Sequence, residues 1–355
     1  MVTIKPFGKL ADGTEVDLIA IQNSSGSTLE VTNYGACVTS IKLKMADGSI
    51  RDVVLGYDTP AEYEADKDTY FGATIGRIAN RINACDDTGK PGFILNGKTY
   101  YLADTSGNGA SLHGGVIGFD QKVFDYTTGD DYVEFKYTSP DGEENYPGNL
   151  TLTVRMTFGG DNALKIEYDA VSDKDTICNP TNHCYFNLAG HDSGINLKHK
   201  VCIDSDQINE LLQNIVTGKI SDVAGTAYDF NEPHEIGERI EDSHYQLVDS
   251  KGYDCNYILK PNPTKEIRQV AWAESPTGDV RLNVLTDAEG IQLYTGNFLD
   301  GRKGKGGAIY NFRNAVCLET QILPNAINMP HFPTSSVIKA GEHFNSTTIY
   351  AFDVK

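Results

Sequence analysis

Apolar and polar residues alternate along "LTLTVRMTF" and "ALKIEYDAV", and the same two-residue period recurs in "LEVTNYGACVTSIKL", "DYVEFKYTS", "KHKVCID", "GIQLYTG" and "STTIYAFDV". Side chains on a strand point alternately to its two faces, so this period predicts strands with one face against a core. The segments are short and rich in Val, Ile, Thr and Tyr. Turn sequences such as "ADGS", "SPDGE" and "GGDN" separate them. Helical spacing is confined to "TPAEYEADKDTY" and "NEPHEIGERI". A long chain dominated by such strands predicts an all-β fold, a large antiparallel β-sandwich with few short helices. No linker, shift in composition or internal repeat divides the chain, so residues 1–355 read as a single domain.

Composition narrows the partners. The 355 residues are 39% hydrophobic, enough for a sizeable core. Lys and Arg number 30 against 49 Asp and Glu, a net charge of −19. A surface this acidic repels phosphate backbones, which argues against nucleic acid and anionic membranes as partners. The first residues, "MVTIKPFGKLADGTEVDLIA", lack the basic start, apolar stretch and cleavage site of a secretory signal. No apolar run approaches the ~20 residues of a membrane span. Seven cysteines without paired spacing read as reduced thiols, and the expected location is cytoplasmic.

Candidate chemistry lies where apolar runs meet Gly-, Pro- and Asn-rich punctuation, the places where scaffolds present functional groups. Glu319 ends the run "NAVCLETQ", and "ILPNAINMPHFP" follows it. His113 precedes two glycines in "NGASLHGGVIGFD", an arrangement that would let a ligand approach the backbone. His183 lies in "CNPTNHCYFNLAGH", Arg77, Asn80 and Arg81 in "GATIGRIANRI", and Asp254 in "KGYDCNYIL". Each has a plain reading as well: a hydrogen-bonded structural histidine, a surface ion pair, a turn former or a solvated carboxylate. Metal ligation would fall to Cys178, His183 and Cys184, but no ligand-spaced pair accompanies them. There is no nucleophile elbow. The stretch "DGRKGKGGAIY" lacks the phosphate-loop pattern and reads as a mobile hairpin loop. Residue chemistry alone leaves a hydrolase, an isomerase and a binding protein with a polar site open.

Taken together, "GATIGRIANRI", "SLHGGVIGFD", "NPTNHCYFNLAGH", "GIQLYTGNFLDG", "GKGGAIY" and "CLETQILPNAINMPHFP" resemble the aldose 1-epimerases (galactose mutarotases), in the family's order and over essentially the whole chain. The resemblance implies a supersandwich of antiparallel strands and interconversion of the α- and β-anomers of free aldohexoses such as glucose and galactose. It implies Glu319 as the base at the anomeric hydroxyl, His183 as the acid at the ring oxygen and His113 as a supporting donor. Arg81, Asp254 and Asn80 would bind sugar hydroxyls, and Phe298, or failing it Tyr185, would carry the ring face. At neutral pH the site would favour the His183 imidazolium, with Glu319 and Asp254 supplying the bias. No metal or organic cofactor is called for, and a monomer or homodimer is expected. The chain departs from the family's usual pattern at Asn325, Cys255 and Phe124. Other activities on the same fold would be a two-carboxylate glycosidase or lyase built on Asp254 and Glu319, a phosphosugar mutarotase using Arg77, Arg81, Arg302, Lys303 and Lys305, and a non-catalytic sugar sensor.

Overall fold

In Leu150–Phe158 every second residue is buried, and Ala163–Ser172 repeats the alternation with the opposite start. The two strands pair antiparallel, Leu150 opposite Ser172 and Phe158 opposite Leu164. This computed structural model describes residues 1–355. The hairpin is part of a nine-stranded sheet. From one edge it runs through Asp125–Thr128, Tyr132–Ser139, Leu150–Phe158, Ala163–Ser172, His343–Val354, Val280–Thr286, Arg268–Glu274, Lys200–Ile203 and His234–Glu235. The C-terminal strand therefore lies in the middle of the sheet, paired with Ala163–Ser172 on one side and Val280–Thr286 on the other.

Two five-stranded sheets and five two-stranded ladders complete the architecture. One is formed by Val2–Lys9, Glu15–Gln22, Thr28–Thr32, Cys37–Lys44 and Ile50–Asp52 in chain order. The other runs Ile215–Asp222, Gln207–Leu212, Asp254–Ile258, Gly290–Tyr294, Cys317–Gln321. A core cluster of 55 buried residues takes side chains from all three, among them Ile19 and Val38, Val154 and Phe352, and Tyr257 and Leu318. Burying the apolar face of each sheet against the others is the dominant stabilising contribution to such a sandwich.

Helix is scarce, as the pattern predicts. Pro60–Ala65 carries a capping box, with the Thr59 hydroxyl accepting from Glu62 N–H and the Glu62 carboxylate accepting from Thr59 N–H. The second expected helix is corrected by the structure. "NEPHEIGERI" forms a two-residue strand, His234–Glu235, and a single 3₁₀ turn, Ile236–Glu238, because Pro233 and Gly237 break the spacing. The second helix is Tyr245–Ser250, further along, started by the His244 ring accepting from Gln246 N–H. No helix is long and apolar enough to cross a membrane.

The stretch "DGRKGKGGAIY" is also corrected. Arg302–Lys303 and Ile309–Tyr310 do form a hairpin, but it is tied down. Lys305 is buried and reaches the Asp52 carboxylate at 2.6 Å, Gly306 N–H donates to Asp58, and Arg302 donates to Asp66 at 3.0 Å.

Candidate active site

The sheet formed by Ile215–Asp222 through Cys317–Gln321 has two unlike faces. Cys255, Tyr257, Ile291, Leu293 and Leu318 point into the core. The alternate positions, Asp254, Asn256, Gln292, Glu319 and Gln321, point the other way and are polar yet buried. Register aligns them: Asn256 lies opposite Gln292, and Gln292 opposite Glu319. A sheet face that is polar and sealed from water must satisfy its groups internally or present them to a ligand.

Most are satisfied. Gln292 Nε2 donates to Asp254 Oδ1 at 2.5 Å, and Arg81 Nη2 donates to Asp254 Oδ2 at 3.3 Å. Arg81 Nη1 donates to Asn80 Oδ1 at 3.1 Å, and Asn80 Nδ2 donates back to Gln292 Oε1 at 3.0 Å. The four side chains form a closed ring of hydrogen bonds, which fixes each in place. Both oxygens of Asp254 are engaged, so it is poorly suited to the protonated acid that a glycosidase needs.

Besides Arg81 Nε and Gln321 Oε1, two groups that face each other keep an atom without a partner. Glu319, 2% exposed, has one carboxylate oxygen, Oε2, without a partner. His183 is 5% exposed, and its Nδ1 likewise has none. Glu319 Oε1 and His183 Nε2 stand 3.7 Å apart. A buried carboxylate and imidazole set face to face in a cavity are a functional-site candidate. The His183 ring is held by stacking: Tyr185 lies parallel to it at 5.0 Å, and Tyr70 flanks it at 5.9 Å.

His113 approaches His183 edge-on, with ring centroids 5.2 Å apart. Its Nδ1 accepts the Asn80 backbone N–H at 3.2 Å, so the proton of the neutral ring sits on Nε2, a donor. The residue adopts a φ of +51°, and Gly114 follows at +93°. A Cβ at Gly114 would lie 1.9 Å from the Gly76 carbonyl oxygen. The glycine thus admits the backbone beside Arg77, not a ligand as the sequence suggested.

These side chains line a cavity of about 230 Å³. Glu319, His183, His113, Arg81, Asn80, Asp254, Phe298 and Tyr185 all border it. Phe298, 48% exposed, stands at the mouth stacked on Tyr294, whereas Tyr185 is buried behind His183. Gln292, Tyr294 and Tyr70 also line the cavity and were not singled out from the sequence. The first two were legible in "GIQLYTG", where the period of two puts them opposite Ile291 and Leu293. Tyr70 carried no pattern.

Other expectations are redirected. The Arg77 guanidinium is buried and donates to the carbonyls of Ser139, Pro140, Pro147 and Gly148 and to the Ser139 hydroxyl, a structural use. Arg302, Lys303 and Lys305 do not line the cavity, so of the cations proposed for a sugar phosphate only Arg81 is present. Cys178 and Cys184 belong to the hydrophobic core, as do Cys255 and Phe124. The buried thiol that does lie near His183 and Glu319 is Cys317.

Protonation also runs opposite to expectation. Burial raises the Glu319 carboxyl well above its ordinary value; Asp254 adds to the shift and Arg81 opposes it. Burial lowers His183 to about 4. His113 is lowered well below its usual range by burial, then by His183 and Arg81. The imidazolium expected at His183 is therefore disfavoured in the free site, because two groups sealed from water both resist charge. The pair prefers to carry one proton on the carboxyl and leave the imidazole neutral.

The sequence profile of the aldose 1-epimerase family matches residues 17–351. A galactose mutarotase from Sus scrofa is 41% identical, with 99% of each chain covered. An aldose 1-epimerase from Escherichia coli (strain K12) is 33% identical over 96% of each. A crystal structure of galactose 1-epimerase from Lactobacillus acidophilus superposes with a TM-score of 0.84 at 26% identity, covering 100% of this chain and 99% of that one.

Proposed function

Because the chain belongs to the aldose 1-epimerase family, we propose that it interconverts the anomers of free aldohexoses, galactose and glucose, with Glu319 and His183 as its proton-transfer pair. Ring opening removes a proton from the C1 hydroxyl and delivers one to the ring oxygen. An uncharged sugar needs only a base and an acid for this. The observation that carries the assignment is the carboxylate of Glu319 facing His183 across 3.7 Å, each with an atom free of other partners.

The reactive form has the pair's single proton on His183. As Glu319 takes the C1 hydroxyl proton, His183 gives its own to the ring oxygen, and the C1–ring-oxygen bond breaks to leave the open-chain aldehyde. The pair is then a carboxylic acid beside a neutral imidazole, the state that burial favours. The opened sugar is thus held against the pair in its most stable form, not against two buried charges. After rotation about the C1–C2 bond, Glu319 returns its proton to the carbonyl oxygen. His183 takes back the proton from the C5 hydroxyl as the ring closes on the other face. His113 Nε2–H is a donor for negative charge developing at oxygen during these steps. Arg81, Asp254, Asn80 and Gln292 form a rigid polar wall for the sugar hydroxyls, and Phe298 offers an apolar face at the mouth.

The cavity is smaller than the ~300–1,000 Å³ common for drug-sized ligands, which supports one monosaccharide ring over an oligosaccharide. Its lining leaves only Arg81 as a fixed cation, which favours a neutral sugar over a phosphorylated one. No metal or organic cofactor enters this scheme. Residues 1–355 act as one domain in this reading, supported by a core that draws on all three large sheets. Seven free thiols support a reducing, cytoplasmic setting.

Polarimetry on freshly dissolved α-D-galactose and α-D-glucose tests the assignment. The protein should speed the approach to anomeric equilibrium. Glu319→Gln, which keeps shape and loses basicity, should lower kcat by ~10²–10⁴ with KM changed only a few-fold. A variant keeping more than about a tenth of wild-type kcat would remove Glu319 from the base role.

A further inference from the structure

Cys317 precedes Glu319 by two positions in the strand Cys317–Gln321, so its side chain emerges on the same face. It is fully buried, against Tyr185 and Tyr294. Its sulfur, a nitrogen of His183 and an oxygen of Glu319 all lie within 4.8 Å of one another. We propose that these three side chains form an inhibitory site for a thiophilic divalent cation, Zn²⁺ or Cd²⁺, that shuts the enzyme off by occupying its proton-transfer pair.

The geometry is close to what such an ion requires. Metal–nitrogen and metal–oxygen distances of ~2.0–2.2 Å place two such ligands of a tetrahedral ion ~3.3–3.5 Å apart. The His183–Glu319 separation of 3.7 Å needs to close by only a few tenths of an ångström. The sulfur needs a shift of no more than about an ångström, less than one side-chain rotation supplies. His183 and Glu319 line the cavity, so a water can supply the fourth ligand. A thiolate, an imidazole and one carboxylate select Zn²⁺ or Cd²⁺ over Mg²⁺ or Ca²⁺.

Capture exchanges the Sγ–H bond for an Sγ–metal bond, and the proton passes to solvent. The carboxyl proton of Glu319 is lost in the same event. Because binding releases these protons, inhibition strengthens as pH rises. The ion also sits between the acid and the base, so it competes with the sugar. Only the inhibitory consequence rests on the assignment of Glu319 and His183; the ion site rests on the three donors themselves.

The test adds Cd²⁺ or Zn²⁺ to the protein, with Mg²⁺ as a control, and follows both epimerase rate and the ultraviolet thiolate-to-Cd²⁺ charge-transfer band. In the wild type, one equivalent should inhibit in competition with galactose, produce the band, and be reversed by a chelator. Mg²⁺ should do nothing. Cys317→Ala should keep its basal rate, require at least about tenfold more metal for inhibition, and lose the band; even outer-sphere partners are worth that much to metal affinity. Should Cys317→Ala fold poorly, Cys317→Ser keeps the volume and should behave alike. Inhibition that is equal in wild type and variant, or a band unaffected by the substitution, overturns the proposal. Because the band and its displacement by galactose are read without turnover, a failed metal site and a failed epimerase assignment are told apart.

Discussion

At residue 113 the backbone is left-handed, a conformation that most side chains resist and that Asn tolerates better than most. The fold imposes it to set the histidine's Nδ1 against the Asn80 N–H, which leaves Nε2–H pointing onward as a donor. His113→Asn should therefore fold, yet lose that donor. Removing one such donor typically lowers kcat by ~10²–10³. We expect a fall of about that size with KM within a few-fold, measured by polarimetry at several sugar concentrations. A variant with wild-type kcat would reduce His113 to a structural residue. Glu319 shows the other side of the same principle. Placed mid-strand and sealed, it gains its character from burial, not from the proline-rich loop that follows it.

That loop works on a different element. Asn325, at φ +58°, donates its backbone N–H to the Arg81 carbonyl at 2.9 Å and accepts from the Asn83 N–H at 3.1 Å through its side chain. It docks the strand Arg81–Asn83, and so sets where Arg81 meets Asp254. Asn325→Ala would strand the buried Asn83 N–H and force a left-handed alanine, so a loss of about 1–3 kcal/mol is expected. Thermal unfolding should show the drop, and KM for galactose should rise more than kcat falls. An unchanged KM would detach the loop from sugar binding. Elements such as Leu150–Phe158 were legible because one face meets the core and the other meets water, so burial follows the sequence period. The site sheet was less so: its second face is polar and buried, and the alternation that sets Gln292 apart from Ile291 and Leu293 does not tell a buried polar face from an exposed one. That they join Asn80 and Arg81 in one ring depends on pairing between distant segments, which no local pattern encodes. The helix Tyr245–Ser250 was missed because a histidine, not Ser, Thr, Asp or Asn, caps its start.

For the whole molecule, a net charge of −19 gives a field that repels anions. Lysines and arginines that might have offset it at the cavity are committed elsewhere: Arg77 to carbonyls, Lys305 to Asp52 and Arg302 to Asp66. A neutral hexose feels little of this field. Its kcat/KM should change less than about twofold between low and moderate salt, where screening lengths fall from ~30 to ~10 Å. Hexose 6-phosphates should turn over at least about tenfold less efficiently at low salt and recover partly as salt is added. Equal kcat/KM for galactose and its 6-phosphate would mean that a phosphate site exists which this cavity does not contain.

If Glu319 and His183 share a single proton across the working pH range, the pH dependence of kcat/KM on free galactose must show it. The acidic limb reports a second proton entering the pair, at His183, and should fall near pH 4. The basic limb reports loss of the one shared proton, whose carboxyl is raised well above its ordinary value partly by Asp254. Asp254→Asn removes a negative charge that resists ionisation of Glu319, so the carboxyl loses its proton more easily and the basic limb must move to lower pH. The expected result is a bell with that shift, whatever the variant's absolute rate. A basic limb that stays in place or moves to higher pH in Asp254→Asn would contradict it.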